Sequence, residues 1–356
     1  MTADPLSVYG VHEPGIEHLM VQANRRGWLV FTHGLGFDPG HTGGMGGRAY
    51  LPWADQGFGI LARLNVGYGS QGTIPHPRDY DNFARRVANW VAASPGCHWW
   101  IIGNEMNHAG ERREGVPIYP FQYASCYAKC QRAIKALPGH ADDKVVVGAV
   151  APYNNQTAYS GNTSGDWIVY FQDCLRYIRL ENATVDALAL HAYTHGISPG
   201  LIRSAQKMGP PFGLYHYHFR TYRDFMNAIP SDLRGVPVHI AECTQIREGD
   251  QAGRGWEDIN SGWVQEAYAE INNWNGVPGN QQVWSLDLYR TPKYDQWFLE
   301  GKTQVHADFL AAMTHDYRRA LPPSTELERL RAENALLKTQ NGALQAKIAA
   351  AIRTLS

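Results

Sequence analysis

Two glutamates in this chain stand at the ends of strongly apolar runs. WWIIGNE ends in Glu105 and VPVHIAE ends in Glu242. A carboxylate brought straight out of a buried strand loses hydration, which costs roughly several kcal/mol unless something compensates. A neighbouring cation such as Arg63 or Arg247 could do so. Two carboxylates converging on one cavity could also do chemistry. One attacks carbon while the other moves a proton, which is how a glycosidic bond is cut. Other polar side chains end apolar runs in the same way: Asn104 beside Glu105; His191, Tyr193 and His195 in HAYTHG; Trp284 and Asp287 in VWSLDLY; Arg63 and Asn65 in LARLN; His12, Glu13 and His33. Eleven Trp, nineteen Tyr and 12% aromatic content supply flat apolar faces of the kind that pyranose rings stack on. Trp256, Trp263 and Trp297 are further candidates for such platforms, with at least two of the three expected in the core.

These residues need a frame that gathers strand ends. Eight short apolar runs read as strands: LSVYGVHEP, GWLVFTHG, GILARLNVGYG, HWWIIGNE, KVVVGAVAP, VDALALHAY, VPVHIAEC and QQVWSLDLY. Helix-like stretches separate most of them, among them DYDNFARRVANWVAAS, FQYASCYAKCQRAIKAL and SGWVQEAYAEINNW. Near-continuous apolar strands alternating with amphipathic helices imply a parallel sheet covered by helices. Eight such units over residues 1–320 fit an α/β fold, a closed (β/α)8 TIM barrel, with the active site at the C-terminal strand ends. An open doubly wound sheet is the rival. No G-x-G-x-x-G follows the first strand, which removes support for a dinucleotide fold. The Gly-rich stretch GHTGGMGGRAY lacks Gly-Lys-Ser/Thr and reads as a rim loop.

Within that frame Glu105 ends strand 4 and Glu242 ends strand 7. This arrangement resembles clan A of the retaining glycoside hydrolases, the 4/7 superfamily of (β/α)8 barrels. There an Asn-Glu pair ends strand 4, a second Glu ends strand 7, and strand 6 carries a His two before a Tyr. Asn104-Glu105, Glu242, His191 and Tyr193 match those positions in order, and the resemblance covers roughly residues 5–315. It implies Glu105 as acid/base and Glu242 as nucleophile, with Asn104 on the sugar 2-hydroxyl. It further implies Tyr193 as a donor to Glu242, His191 near the acid/base, and Trp284 as the aromatic floor of the sugar subsite. Many clan members place an Arg near the end of strand 2, where this chain has FTHG; Arg63 on strand 3 is the candidate for that task. The implied activity is retaining hydrolysis of an O-glycosidic bond, expected to be β-linked, in an oligo- or polysaccharide, without cofactor or metal.

Two other functions compete with this one. A metal-dependent barrel hydrolase would need a His-x-His at strand 1, but the pair His216/His218 lies at a helix entry, where i and i+2 diverge. A non-catalytic carbohydrate-binding barrel would keep the aromatics without needing both glutamates. No serine sits in a G-x-S-x-G elbow, and strand alternation turns Cys243 away from Glu242.

Lys and Arg total 32 against 33 Asp and Glu, a net charge of −1, which gives no footprint for nucleic acid or an anionic membrane. Five widely spaced cysteines do not make a disulfide framework. With no signal segment visible, they favour a cytoplasmic setting. LPPS at 321–324 reads as a linker. After it, residues 325–356 form a heptad repeat with Leu327, Asn334, Asn341, Ile348 and Leu355 at a and Leu330, Leu337, Leu344 and Ala351 at d. That is a coiled-coil pattern, and Asn at two a positions favours a homodimer, with a trimer as the alternative. The competing reading is a single amphipathic helix packed on its own domain.

Overall fold

All eight apolar runs form strands, and in chain order they are hydrogen-bonded side by side. The strands are β1 (Tyr9–His12), β2 (Trp28–Gly34), β3 (Gly59–Asn65), β4 (Trp99–Ile102), β5 (Lys144–Val147), β6 (Ala187–His195), β7 (Val238–Ile246) and β8 (Val283–Tyr289). Every pairing is parallel and β1 closes on β8, giving a (β/α)8 barrel. This computed structural model describes residues 4–36 and 46–320, with scattered helical positions between 334 and 348. The linker and most of the heptad repeat lie outside the described residues. At the positions described there, Leu337, Leu344 and Ile348 are helical and exposed. Among the described residues no helix is long and apolar enough to cross a membrane.

The helices are α1 (Glu17–Gln22), α2 (Leu51–Ala54), α3 (Tyr80–Ala92), α4 (Pro120–Lys135), α5 (Trp167–Leu180), α6 (Thr221–Ala228), α7 (Trp263–Asn275) and α8 (Thr303–Ala312). Local chemistry sets their starts. The Asp166 carboxylate accepts from the Ile168 and Val169 amides at the head of α5. Pro120 opens α4, and the Gln122 side chain reaches back to the Tyr119 amide. Cys126 and Cys130 are buried thiols on α4, and all five cysteines are free and buried. Two helices, α2 and α8, fall outside the helix-like stretches of the sequence. The first spans four residues. The second buries Val305, Phe309 and Ala312, an i, i+4, i+7 face that helical periodicity could have revealed.

Strand alternation divides the core in two. Trp28, Val30, Leu61, Trp99, Ile101, Ala187, Ala189 and Ala241 point into the barrel. Their neighbours Leu29, Phe31, Ile60, Trp100, Ile102, Leu188 and Ile240 pack outward against helices. Burying each large side chain contributes about 1.5–3 kcal/mol. At the N-terminal end of the strands Trp28, Trp99, His239 and Trp284 pack together with ring centroids 4.6 to 6.2 Å apart. Arg319 covers Trp284 with its guanidinium 3.5 Å from the ring centroid. Trp284 therefore closes the floor of the barrel. This corrects its assignment to the sugar subsite: it is the second residue of β8, a whole strand away from the mouth.

One irregularity decides which residues reach the mouth. From Leu190↔Ile240 to His191↔Glu242, β7 advances two residues while β6 advances one. From Ile240↔Leu286 to Cys243↔Leu288, β7 again has one residue more than β8. This is a β-bulge at Ala241–Glu242. Ala241 belongs to the interior cluster and Cys243 to the outer core, so the extra residue lets Glu242 face inward directly after Ala241.

Asp287 sits inside the barrel wall beneath the site. Its Oδ2 accepts from Ser285 at 2.6 Å, while Oδ1 has no partner. Burial pushes its carboxyl up to about 7. Between about pH 4 and about 7 the folded chain keeps a proton that the unfolded chain has released, so folding stability falls as pH rises through that window. Asp287→Asn removes this loss. Its stability relative to the parent should grow from near zero at about pH 4 to on the order of 3–4 kcal/mol above pH 7, as read from urea unfolding at several pH values.

Candidate active site

The C-terminal strand ends surround a cavity of about 520 Å³, within the range of ligand pockets. Glu105 and Glu242 both line it. One carboxylate oxygen of each, together with a ring nitrogen of His191, lies in a group whose members are all within 4.8 Å of one another.

Glu105 reaches the cavity by leaving the strand. After Ile102 the chain turns at Gly103, with φ of 76°, and Glu105 itself has φ of 45°. A non-glycine residue in this left-handed region costs roughly 1–2 kcal/mol. Two backbone hydrogen bonds hold it there: the Glu105 amide donates to Ala149 at 2.8 Å, and the His108 amide donates to the Glu105 carbonyl at 2.7 Å. Asn104 is fixed by its amide donating to Thr73 Oγ1 at 2.6 Å.

Glu242 is 5% exposed and fully engaged. The Arg63 guanidinium donates through Nη1 to Glu242 Oε1 and, at 2.6 Å, to Asn104 Oδ1. The Tyr193 hydroxyl donates to Glu242 Oε2 at 2.9 Å. His191 bridges the acids, with Nδ1 at 2.8 Å from Glu105 Oε1 and Nε2 at 3.7 Å from Glu242 Oε1. Burial favours the neutral form of Glu242, but the charges of His191 and Arg63 outweigh it and hold the carboxyl below the usual carboxylate range.

Arg63 is itself anchored from below. Its Nε donates to Thr32 Oγ1 at 3.0 Å, and Nη2 lies 3.3 Å from His12 Nε2. His12 Nδ1 lies 2.9 Å from the Ala241 carbonyl, which makes it the donor there and leaves Nε2 as an acceptor. Burial, followed by the Arg63 charge, keeps this ring well below its ordinary pKa and so neutral.

The structure brings together Arg63, Asn104, Glu105, His191, Tyr193 and Glu242, and it places Trp284 elsewhere. His195 lines the cavity, whereas His33 packs outside it against Tyr50 and Trp90. Of the three candidate platforms, Trp256 and Trp263 are fully buried and Trp297 lines the cavity. Sequence reasoning missed Tyr68, Glu111, Tyr153, Tyr289 and Arg290 in the cavity wall. Tyr289 is the true mouth residue of β8, five positions beyond Trp284. Glu111 lies in a short 3-10 turn after β4, and its Oε2 is buried with no partner. Burial and then the Glu105 charge push its carboxyl up to about 7.

Among the described residues two groups of three could in principle hold a metal. In one, Glu105, His191 and Glu242, a cation would sit against the Arg63 guanidinium. In the other, His98, His140 and Asp143, the carboxylate already meets both rings at 2.7 Å and accepts from Trp100. Neither includes His216 or His218. His216 pairs with Asp224, and His218 lies beside His195 and Gln206.

No family model matches the chain, and no curated protein does. Solved structures match its fold. A glucosidase from Croceicoccus marinus aligns with a TM-score of 0.56 at 12% identity, over 88% of this chain and 69% of that one. A family 51 α-L-arabinofuranosidase from Bifidobacterium longum aligns at 0.52 and 14%, over 89% and 74%. A variant of a GH128 endo-β-1,3-glucanase from Amycolatopsis mediterranei aligns at 0.50 and 15%, over 86% and 100%. At these identities the likeness establishes the TIM-barrel fold, one that these glycoside hydrolases share.

Arg63→Met would leave the buried Glu242 charge without its cation, a change that costs about 3–5 kcal/mol. The folded-state pKa of Glu242 is depressed, so the stability it contributes is present above its unfolded value near 4.5 and is lost as pH falls further. The destabilisation by Arg63→Met should therefore be full at pH 7 and shrink below about pH 4.5, as measured by chemical denaturation at both pH values.

Proposed function

We propose that this chain is a retaining glycoside hydrolase acting on O-glycosidic, β-linked bonds of an oligo- or polysaccharide. The observation that carries the reading is the pair of mouth carboxylates with oxygens within 4.8 Å of each other. Retaining glycosidases hold their two carboxyl groups about 5–5.5 Å apart, whereas inverting enzymes leave room for a water between acids about 6.5–9.5 Å apart. The clan A pattern and the glycoside hydrolase barrels of like fold support the same reading.

In this mechanism Glu242 is the nucleophile. Arg63 and the Tyr193 hydroxyl keep it ionised and fix both of its oxygens. It bonds to the anomeric carbon as the bond to the leaving oxygen breaks, and Glu105 gives that oxygen a proton. Glu105 then takes a proton from water, the water oxygen attacks the anomeric carbon, and the Glu242–sugar ester bond breaks. His191 holds the acid/base in line. Asn104, oriented by Arg63, offers its amide to the sugar 2-hydroxyl. Tyr68, Tyr289 and Trp297 supply apolar wall for ring faces. We also propose that residues 325–356 join two copies as a coiled coil and that the enzyme works in the cytoplasm.

The test is a panel of nitrophenyl glycosides and β-glucans, with the anomer of the first product read by NMR. Retention is expected, and an inverted product or the absence of turnover across the panel overturns the reading. Glu242→Gln should lose at least about 10³-fold in kcat with its fold intact by circular dichroism. Glu105→Ala should lose most on substrates with poor leaving groups, and azide should restore part of the rate on activated ones.

A further inference from the structure

Beside the catalytic cavity lies a second depression, of about 700 Å³. The two share Asp295, and the segment 295–298 forms the wall between them. Four cations line the depression: Arg247, Arg254, Lys293 and Lys302. Among the described residues none of the four has a carboxylate oxygen within 4.0 Å, although the chain as a whole carries a net charge of only −1. Asp295, the one acid in the lining, is committed to Arg290 at 2.7 Å. Two of the nearby acids serve backbone amides: Asp258 accepts from Gln304 and Val305, and Glu300 accepts from Lys293.

The cations also crowd one another. The Lys293 and Lys302 ammonium groups lie 4.7 and 4.5 Å from the centroid of the Phe298 ring. Burial, then the Arg247 charge, with Lys293 behind it, lower the Lys302 pKa, and Asp258 and Glu257 offset only part of this. Arg247 Nε is buried with no partner. Like charges held together around a hollow with an orphaned donor are an arrangement that a bound anion would relieve.

We propose that this groove is an anion-accepting extension of the carbohydrate site, holding the carboxylate or sulfate groups of an acidic glycan whose neighbouring sugar lies between Glu105 and Glu242. The proposal rests on the hydrolase reading for what occupies the cavity, and it adds the substrate class. Arg247 and Arg254 offer planar donors to carboxylate or sulfate, Lys293 and Lys302 act as point charges, and Phe298 offers a ring face between them.

The experiment is titration calorimetry on the full-length protein with three tetrasaccharides: a neutral β-glucan, a β-linked uronate and a sulfated glycosaminoglycan fragment, each at 25 and 150 mM NaCl. At least one acidic chain should bind ten-fold or more tighter than the neutral one at low salt, with the advantage shrinking at high salt. The tighter of the two identifies carboxylate or sulfate. In the Arg254→Gln/Lys293→Gln double variant, both exposed positions, the acidic-to-neutral affinity ratio should fall towards one. Equal affinity for all three chains overturns the proposal, as does an acidic advantage untouched by the double variant. Single-stranded DNA binding as tightly as the acidic chain, with the same salt dependence, also overturns it. Retention on neutral nitrophenyl glycosides tests the hydrolase reading separately, so the two can fail independently.

Discussion

The contact between the Arg63 guanidinium and the Glu242 carboxylate organises the mouth of this barrel. Both groups are almost wholly buried, where a lone charge is costly, so each requires the other. The pairing also fixes neighbours. The same Nη1 that meets Glu242 meets Asn104, and the face of Arg63 away from the cavity is held by Thr32 and a neutral His12. Strands 1, 2, 3, 4 and 7 are thereby tied at one point. Tyr193 and His191 on β6 complete the ring, so each Glu242 oxygen has a directed donor and Glu105 is held through an imidazole. A site assembled from so many strands is as stiff as the barrel that carries it, which is what positioning of reacting atoms needs.

Much of this arrangement was legible in the sequence because it follows from strand ends. Each of the eight apolar runs became a strand, and the polar residues closing runs 3, 4, 6 and 7 met at the mouth. Alternation along β6 alone puts His191, Tyr193 and His195 on one face. The failures have equally local causes. Trp284 lies in the eighth run, which points to the mouth, but that run extends to Tyr289, and position along a strand decides floor from rim. Glu242 reaches the cavity only through a one-residue bulge in β7. The pattern of apolar residues cannot reveal that feature, since strict alternation from His239 and Ala241 would turn Glu242 outward. Glu111 and Arg290 come from irregular segments, where sequence period carries no information about direction.

The site contrasts carboxyl environments within a few residues of each other. Glu242 is saturated with donors and held in its charged form. Glu111 has an oxygen with no partner and is pushed towards its neutral form, and Asp287, below, is pushed the same way by burial alone. Partners rather than depth set these outcomes, since Glu242 and Asp287 are both enclosed by the barrel.

The packed Trp floor has a topological consequence. Asp4 binds the Trp99 indole, Ser7 bridges Arg318, and Ala320 bonds Gln282, so the first and last described segments of the barrel both meet at its closed end. Both described ends of the barrel therefore lie on the face opposite the opening. In the proposed two-copy assembly, an attachment at that face would leave each barrel's entrance unobstructed.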